Sequence, residues 1–354
     1  MDKDRDKLTN HDQQARSEIT LIMKSGWSDI DIVDIEDHTE QGYFGGVYCI
    51  KSTERSYALK KHPRSFKGKF DFHNQVSNFI SNTGDVRYFP STIPTESREL
   101  AVDEPETDSF WVLNEWVEGR DMRYRSRQEN VDHHLPLIFR KVAQMHSQLA
   151  SFPIGDDSVV DRSLSEHWVP EMLERFDLVS KGDSTRRIID LTGIDSASLT
   201  RFMSMSDRFI EDMLQHDKPK YWDHNLTRTV IHGDLNLSHV FEASGDYVLV
   251  DIDRMKYGMR LDDLGNLISE AFLSCGQNTV LESLRTAEQV LPLTDVEKED
   301  LTQYVKYGKI RQNFWLLNEI LTRNDPMTSF PLQLEQEVAN TVLLVENLEI
   351  NDRT

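Results

Sequence analysis

The periodicity of the chain changes once, and that change limits what it can fold into. From about residue 28 to residue 115, apolar and polar residues alternate in short runs; beyond that, apolar residues recur at helical spacing. One hairpin pattern, "VFEASGDYVLVDID" at 240–253, is set into the helical part. A small strand-rich part followed by a larger helical part predicts an α+β chain, with both parts long enough to bury cores within 354 residues that are 38% hydrophobic.

Within the first part, "QQARSEITLIMKSGW" predicts a helix with Ile19, Ile22 and Met23 on one face. "VYCIKSTERSYALKKH" predicts a hairpin around a polar turn, "FKGKFDFHNQVSNFISNTG" a helix, and "FWVLNEWVEG" a strand running into a connector at Glu118-Gly119. Ile138, Val142, Met145 and Leu149 then mark a helix, and everything from Asp262 onward reads as helical.

Charge and cysteine usage exclude several function classes. A net charge of −21, from 40 Lys and Arg against 61 Asp and Glu, opposes binding to nucleic-acid phosphates or to an anionic membrane. It leaves room for a cationic small-molecule substrate. Cys49 and Cys275 are too few for a disulfide scaffold and too far apart for a metal knuckle, so a reducing compartment is expected. The charged N-terminus has no apolar signal core, and no run reaches the roughly 18 apolar residues of a membrane span. A soluble, cytoplasmic protein is the expectation, with its oligomeric state left open.

The stretch "VIHGDLNLSHVF", residues 230–241, leads directly into the hairpin, and Asp251 leaves the hairpin 17 positions after Asp234. Two carboxylates at the mouths of one hairpin can share a site. Phosphoryl transfer uses such a pair: one accepts the hydroxyl proton or orients the nucleophile, and the other holds Mg²⁺ on the nucleotide phosphates.

"HGDLNLSH" followed by "LVDIDRMKYGMRLDDLG" resembles the aminoglycoside phosphotransferase and choline kinase group of kinase-like small-molecule phosphotransferases, loosely nearest its spore-coat-type branch. The resemblance is specific near 231–265 and implies Asp234 as the catalytic Asp, Asp251 as the metal-binding Asp, and Asp263 as the structural Asp of the family's D-L-A segment. "AQMHSQL" makes His146 part of the pattern, as a packing and loop-bracing residue. Five positions after the catalytic Asp the family has a metal-binding Asn, where this chain has His239. A neutral imidazole can ligate a metal or brace the loop, and Mg²⁺ prefers oxygen; both roles of His239 stay open.

The nucleotide side is read from the strand "YALKK". Period-two alternation puts Ala58 and Lys60 on one face, leaving room for a flat base and a cation for its phosphates, and sends the competing Lys61 the other way. "EQGYFGGV" offers Gly42, Gly45 and Val47 at the spacing of a phosphate-cradling turn, with Glu40 at the place of the first glycine. The strand lysine of kinases pairs with a Glu of the following helix, and here "DFHNQVSNF" supplies Asp71, His73 and Gln75 but no Glu.

These readings combine into a bilobal protein-kinase-like α+β fold. It has a lead-in at 1–27, an N-terminal antiparallel sheet lobe at 28–114, a hinge at 115–119, and a larger, mainly helical C-terminal lobe at 120–354 with a cleft between the lobes. The expected reaction transfers the γ-phosphate of ATP or GTP to a small-molecule hydroxyl with Mg²⁺, or Mn²⁺, as cofactor. The hinge backbone around Glu115 and Val117 would bind the base edge. A catalytically silent kinase-like binding module is the alternative, and nucleotidyl transfer a third. Acidic segments carrying Trp168, Phe176 and Trp222 would suit an amine or quaternary ammonium substrate through carboxylate pairing and cation–π contact.

Overall fold

The structure is a computed structural model that describes residues 15–38, 46–83, 86–123, 132–155, 158–161, 163–322, 330–348 and 350. It divides into two compact units. One takes the chain up to Gly119 together with Phe241–Asp253; the other takes Arg120–Val240 and the chain from Arg254 onward.

The first unit is built on a five-stranded antiparallel sheet, β1 (Ile32–Asp37), β2 (Val47–Ser52), β3 (Ser56–Pro63), β4 (Val102–Glu104) and β5 (Ser109–Glu115), in the order β1-β2-β3-β5-β4. Alternation along β3 and β5 gives the sheet two unlike faces. Tyr57, Leu59, Trp111 and Leu113 bury one face against Ile19, Met23 and Trp27 of the helix at 15–26, α1, and the residue that follows it. Phe110 and Val112 take the other face, against Phe70 of α2 (Lys67–Thr83). Lys60 pairs with Val112 in the β3–β5 register, so it rises on the α2 face, and Lys61, opposite Trp111, on the α1 face.

The hairpin of β7 (Val240–Ala243) and β8 (Asp246–Leu249) turns through Ser244 and Gly245, both at positive φ, the primed turn that suits strand twist. The sequence reading placed all of 120–354 in the helical part, but residues 241–253 group with the first unit. Tertiary contacts decide this. The Leu249 amide donates to the Tyr88 carbonyl at 2.7 Å. Gly119, at φ +136, lies so near the Glu242 carbonyl oxygen that a Cβ would sit 2.7 Å from it.

The second unit is mainly helical and also holds the two-stranded sheet of β6 (Arg228–Ile231) and β9 (Lys256–Met259). The helix Leu135–Leu149 buries Ile138, Val142, Met145 and Leu149, the residues that marked it in the sequence. The helix Leu261–Cys275 follows β9 directly, and Gln277–Glu288 packs on both. The 28-residue helix Asp295–Thr322 carries Tyr304, Tyr307 and Phe314 into the core, where Trp222 packs against both tyrosines. Among the described residues, no helix is long and apolar enough to cross a membrane.

One ion pair fixes the junction between β9 and the last helices. The Arg260 guanidinium donates through Nε to Glu297 Oε1 at 2.6 Å and through its NH2 group to Glu297 Oε2 and, at 2.9 Å, to the Pro292 carbonyl. Both side chains are at most 4% exposed. Burial alone would raise the Glu297 carboxyl, but the Arg260 bonds and the Thr294 amide hold it below its ordinary value of 4.5. A group depressed in this way contributes stability fully present above about pH 4.5, lost as pH falls through the folded value. Glu297→Gln leaves the guanidinium buried without its counter-charge and should cost about 3–5 kcal/mol at pH 7 in urea unfolding. The deficit should shrink toward acid, where the wild type loses the same interaction.

Candidate active site

The loop from His232 to His239 takes its shape from carboxylates on one helix. Asp263, in the first turn of Leu261–Cys275, is fully buried and accepts three hydrogen bonds: from the His232 amide at 2.8 Å, the Gly233 amide at 2.9 Å and His146 Nε2 at 2.9 Å. Burial would raise its carboxyl, and the bonds from His146 and the Gly233 amide, with the charges of His146 and His232, hold it below the ordinary range. Glu270, seven positions further along that helix, accepts from the Leu237 amide and pairs with Arg123. Residues seven apart lie on one helical face, so the same face grips the loop at both ends.

Between those grips the backbone is unusual. Gly233 stands at φ +80, and a Cβ there would lie 2.3 Å from the Arg254 carbonyl oxygen, so no other residue fits without moving the backbone. Asn236 caps the single turn Leu237–His239, its Oδ1 accepting from the Ser238 amide at 3.0 Å and its Nδ2 donating to the Asp234 carbonyl at 3.1 Å. His239 turns Nδ1 to the same Asp234 carbonyl at 2.8 Å and stacks on His232 with ring centroids 5.8 Å apart. Asn236 Nδ2 also lies 3.1 Å from His239 Nδ1, so that nitrogen is engaged within the loop in either tautomer, and a metal would have to use Nε2. The Asp234 side chain is 40% exposed, with Arg254 Nε 3.5 Å from its Oδ2.

In the first unit, Lys60 Nζ lies 2.8 Å from Asp251 Oδ1 and 3.5 Å from Asp253 Oδ2. Burial opposes the ammonium charge, yet Asp253 and Asp251 raise Lys60 above the ordinary lysine range. Asp251 sits at φ +60, a left-handed conformation that costs a non-glycine residue energy and is concentrated at functional sites. Two carboxylates with a shared cation suit a hard divalent ion carried by a nucleotide, which takes one or two carboxylates and keeps phosphate and water for its other positions. Among the described residues, no group of three or more His, Cys, Asp or Glu side chains is arranged to hold a metal ion.

A model of the phosphotransferase enzyme family, APH, matches residues 42–295. The chain belongs to that family. Its fold is that of solved family members. Spectinomycin phosphotransferase APH(9)-Ia, in complex with ADP and spectinomycin, superposes with a TM-score of 0.67 at 12% identity, over 94% of this chain and 97% of that one. A microcompartment-associated aminopropanol kinase gives 0.61 at 14% identity over 92% and 96%. Choline kinase LicA from Streptococcus pneumoniae gives 0.56 at 13% identity over 93% and 99%. A comparison with curated protein sequences finds no match.

The residues expected on the nucleotide side of this phosphotransferase have the following neighbours. Ala58 lies opposite Cys49 on β2 and Asn114 on β5, and Val47 opposite Lys60. Lys61 crosses to the other face, where it pairs with Glu104 at 2.7 Å and lies 5.0 Å from the Trp111 ring centroid. The Glu115 amide is bonded to the Ser91 carbonyl at 2.9 Å and its carboxylate to Arg87 at 2.6 Å; Val117 lies in the irregular connector that follows. Gly42 and Gly45 lie outside the described residues.

Other expectations are corrected. Neither Asp71 nor Gln75 of α2 is the partner of Lys60; Asp253 shares that role with Asp251, and exposed Asp71 faces Lys67 at 4.0 Å. Trp222 is fully buried and donates to Asp300, which makes it a core aromatic, and the partly buried Phe176 packs edge-on against Phe314. The signal for Asp253 was its nearness to Asp251 in "DID" and not strand alternation, since Ile252–Arg254 is a single helical turn. Glu270 and Arg123 gave no such signal.

Gly233→Ala tests the loop directly. It should lower the melting temperature by several degrees and speed amide exchange across 232–239, while the first unit's exchange stays at the wild-type rate. Unchanged exchange in the loop would show that the close approach to Arg254 does not set its path.

Proposed function

We propose that the chain is a small-molecule kinase, transferring the γ-phosphate of ATP or GTP to an acceptor hydroxyl with Mg²⁺ or Mn²⁺. The observation that carries this reading is the Asp263 anchor: in a member of the phosphotransferase family, it fixes the backbone on which Asp234 stands and leaves that side chain reachable, beside a cation. Asp234 orients the acceptor hydroxyl and takes its proton. Asp251 holds the divalent ion, and Lys60 offsets phosphate charge. Ala58, Val47, Gly42 and Gly45 border the nucleotide, with the backbone at Glu115 and Val117 for the base. The bound metal supplies charge neutralisation at the phosphates. A reducing cytoplasm is the compartment that suits the thiols Cys49 and Cys275.

Solved relatives carry nucleotides that suit this reading: AMP-PNP with Ca²⁺ in amicoumacin kinase, ADP in spectinomycin phosphotransferase and GDP in the kanamycin complex of APH(2")-IIia. Asp234→Asn removes a base but no phosphate ligand. It should cut turnover by about 10³-fold or more, with nucleotide affinity within about threefold of wild type by calorimetry. Wild-type protein that binds nucleotide yet consumes none across a broad metabolite panel would make the chain a binding module instead.

His239 serves as the second metal ligand through Nε2 while Nδ1 braces the loop. Ligation through a ring nitrogen should let Mn²⁺ outperform Mg²⁺. His239→Asn should move the preference toward Mg²⁺. An unchanged metal preference with a lower melting temperature would leave His239 the bracing role alone.

A further inference from the structure

Beside the Asp234 loop, within the same unit, lies a polar cluster that none of the roles above uses. The position of a Gly233 Cβ is 3.3 Å from Lys256 Cε. Lys256 Nζ pairs with Asp161 at 2.7 Å, and Asp161 also accepts from Trp168 Nε1 at 3.2 Å. Arg311 Cζ lies 5.0 Å from the Trp168 ring centroid and 5.7 Å from that of Tyr307. So the half-buried Trp168 already has a cation over its ring, and a second, Lys256, 5.7 Å away. A cationic acceptor would meet like charge there. That reverses the substrate expectation drawn from the aromatic residues.

Asp161 and Asp262 are the carboxylates facing Arg311, and each also has another partner. Asp161 is held by Lys256 and Trp168. Asp262 takes the Tyr304 hydroxyl at 2.7 Å, and burial pushes its carboxyl up toward the neutral form against the pull of Arg311 and Lys256. The Arg311 NH1 group and the Tyr307 hydroxyl are both shielded from solvent and, beyond their contact with each other, have no hydrogen-bond partner among the described residues. Leaving such donors unmet costs about 1–3 kcal/mol each, more for a charged group, unless a ligand meets them. A planar guanidinium stacked on an indole presents its edge as a fork that matches a carboxylate.

We propose that Arg311, backed by Trp168 and Tyr307 and flanked by Lys256, binds the carboxylate of the acceptor, so that the substrate is a small hydroxycarboxylate. This deepens the kinase reading and rests on it for the transfer step. In that step the acceptor hydroxyl oxygen bonds to the γ-phosphorus, the bond from that phosphorus to the nucleoside diphosphate breaks, and the hydroxyl proton goes to Asp234. Arg311 is a specificity residue: it holds the far end of the acceptor and takes no proton.

The test gives the full chain Mg·ATP or Mg·GTP with three acceptor sets: hydroxycarboxylates such as glycerate, malate and 3-hydroxybutyrate; neutral polyols; and amino alcohols including choline. In parallel, glycolate is titrated into the wild type, Arg311→Met and Arg311→Lys by ligand-observed NMR. Turnover should be confined to the hydroxycarboxylates. Both variants should raise the acceptor KM by about 50-fold or more, with the nucleotide KM within twofold, because Lys keeps the charge and loses the fork. Turnover only with polyols or amino alcohols overturns the carboxylate assignment and leaves the kinase reading standing. Glycolate binding that needs Arg311, with no nucleotide consumed in any set, keeps the anion site and removes the kinase reading. Neither turnover nor glycolate binding removes both, and glycolate binding unchanged in Arg311→Met overturns the assignment whatever the turnover. If a variant does not fold, the wild-type acceptor profile still decides.

Discussion

The buried carboxylate of Asp263 is the constraint on which the loop from 232 to 239 depends. A charge removed from water must be met by donors, and three converge on it: two consecutive backbone amides and one imidazole. Two consecutive amides can point at one carboxylate only if the chain bends sharply between them, and the positive φ of Gly233 supplies that bend. The carbonyl of Arg254 then closes over the glycine, where a side chain would otherwise stand. Glu270 repeats the device at the far end of the loop, through the Leu237 amide. What emerges is a single exposed carboxylate, Asp234, on a backbone with little freedom. Such freedom is what a proton acceptor must lack if its oxygen is to meet a hydroxyl in one geometry.

The first unit solves a related problem with a different element. A lysine on a strand needs an anionic partner to hold its reach, and α2 offers no glutamate. The hairpin that groups with this unit brings Asp251 and Asp253 instead, two carboxylates in alternate positions on one short stretch. Both are partly exposed, at 42% and 28%, so water and phosphate can reach them and their bonds to Lys60 are exchangeable. An ion pair of that kind can give way when phosphate oxygens and a divalent ion compete for the same groups. A fully buried pair could not do so without a large penalty.

What was legible in the sequence is what local periodicity encodes. Alternation separated Lys60 from Lys61, and the structure sends one to Asp251 and the other to Trp111 and Glu104. Helical spacing found the buried stripe of Leu135–Leu149, and the motif around 232–263 drew Asp263 and His146 into one network. Contacts set by tertiary packing were not legible. The allegiance of the 241–253 hairpin turns on a bond to Tyr88 and a glycine at 119, both far from it in sequence. Trp168 and Trp222 look alike as letters in acidic segments, but one is fully buried against tyrosines and the other meets a guanidinium. Nothing in the spacing of an aromatic residue says which cation, if any, will cover its ring.

Net charge also acquires a different meaning once the cations are located. A chain with 61 acidic and 40 basic residues should repel a nucleotide, and at physiological ionic strength that repulsion is screened over about 8 Å. Within that distance the identity of the nearest few groups outweighs the sum. Lys60 and Lys256 are each under 20% exposed, and Arg311 is half-buried against two rings, so solvent and salt weaken their fields less than those of the surface acids. An acidic exterior therefore does not argue for a cationic ligand, since the few cations held away from solvent set the sign of what can bind beside them.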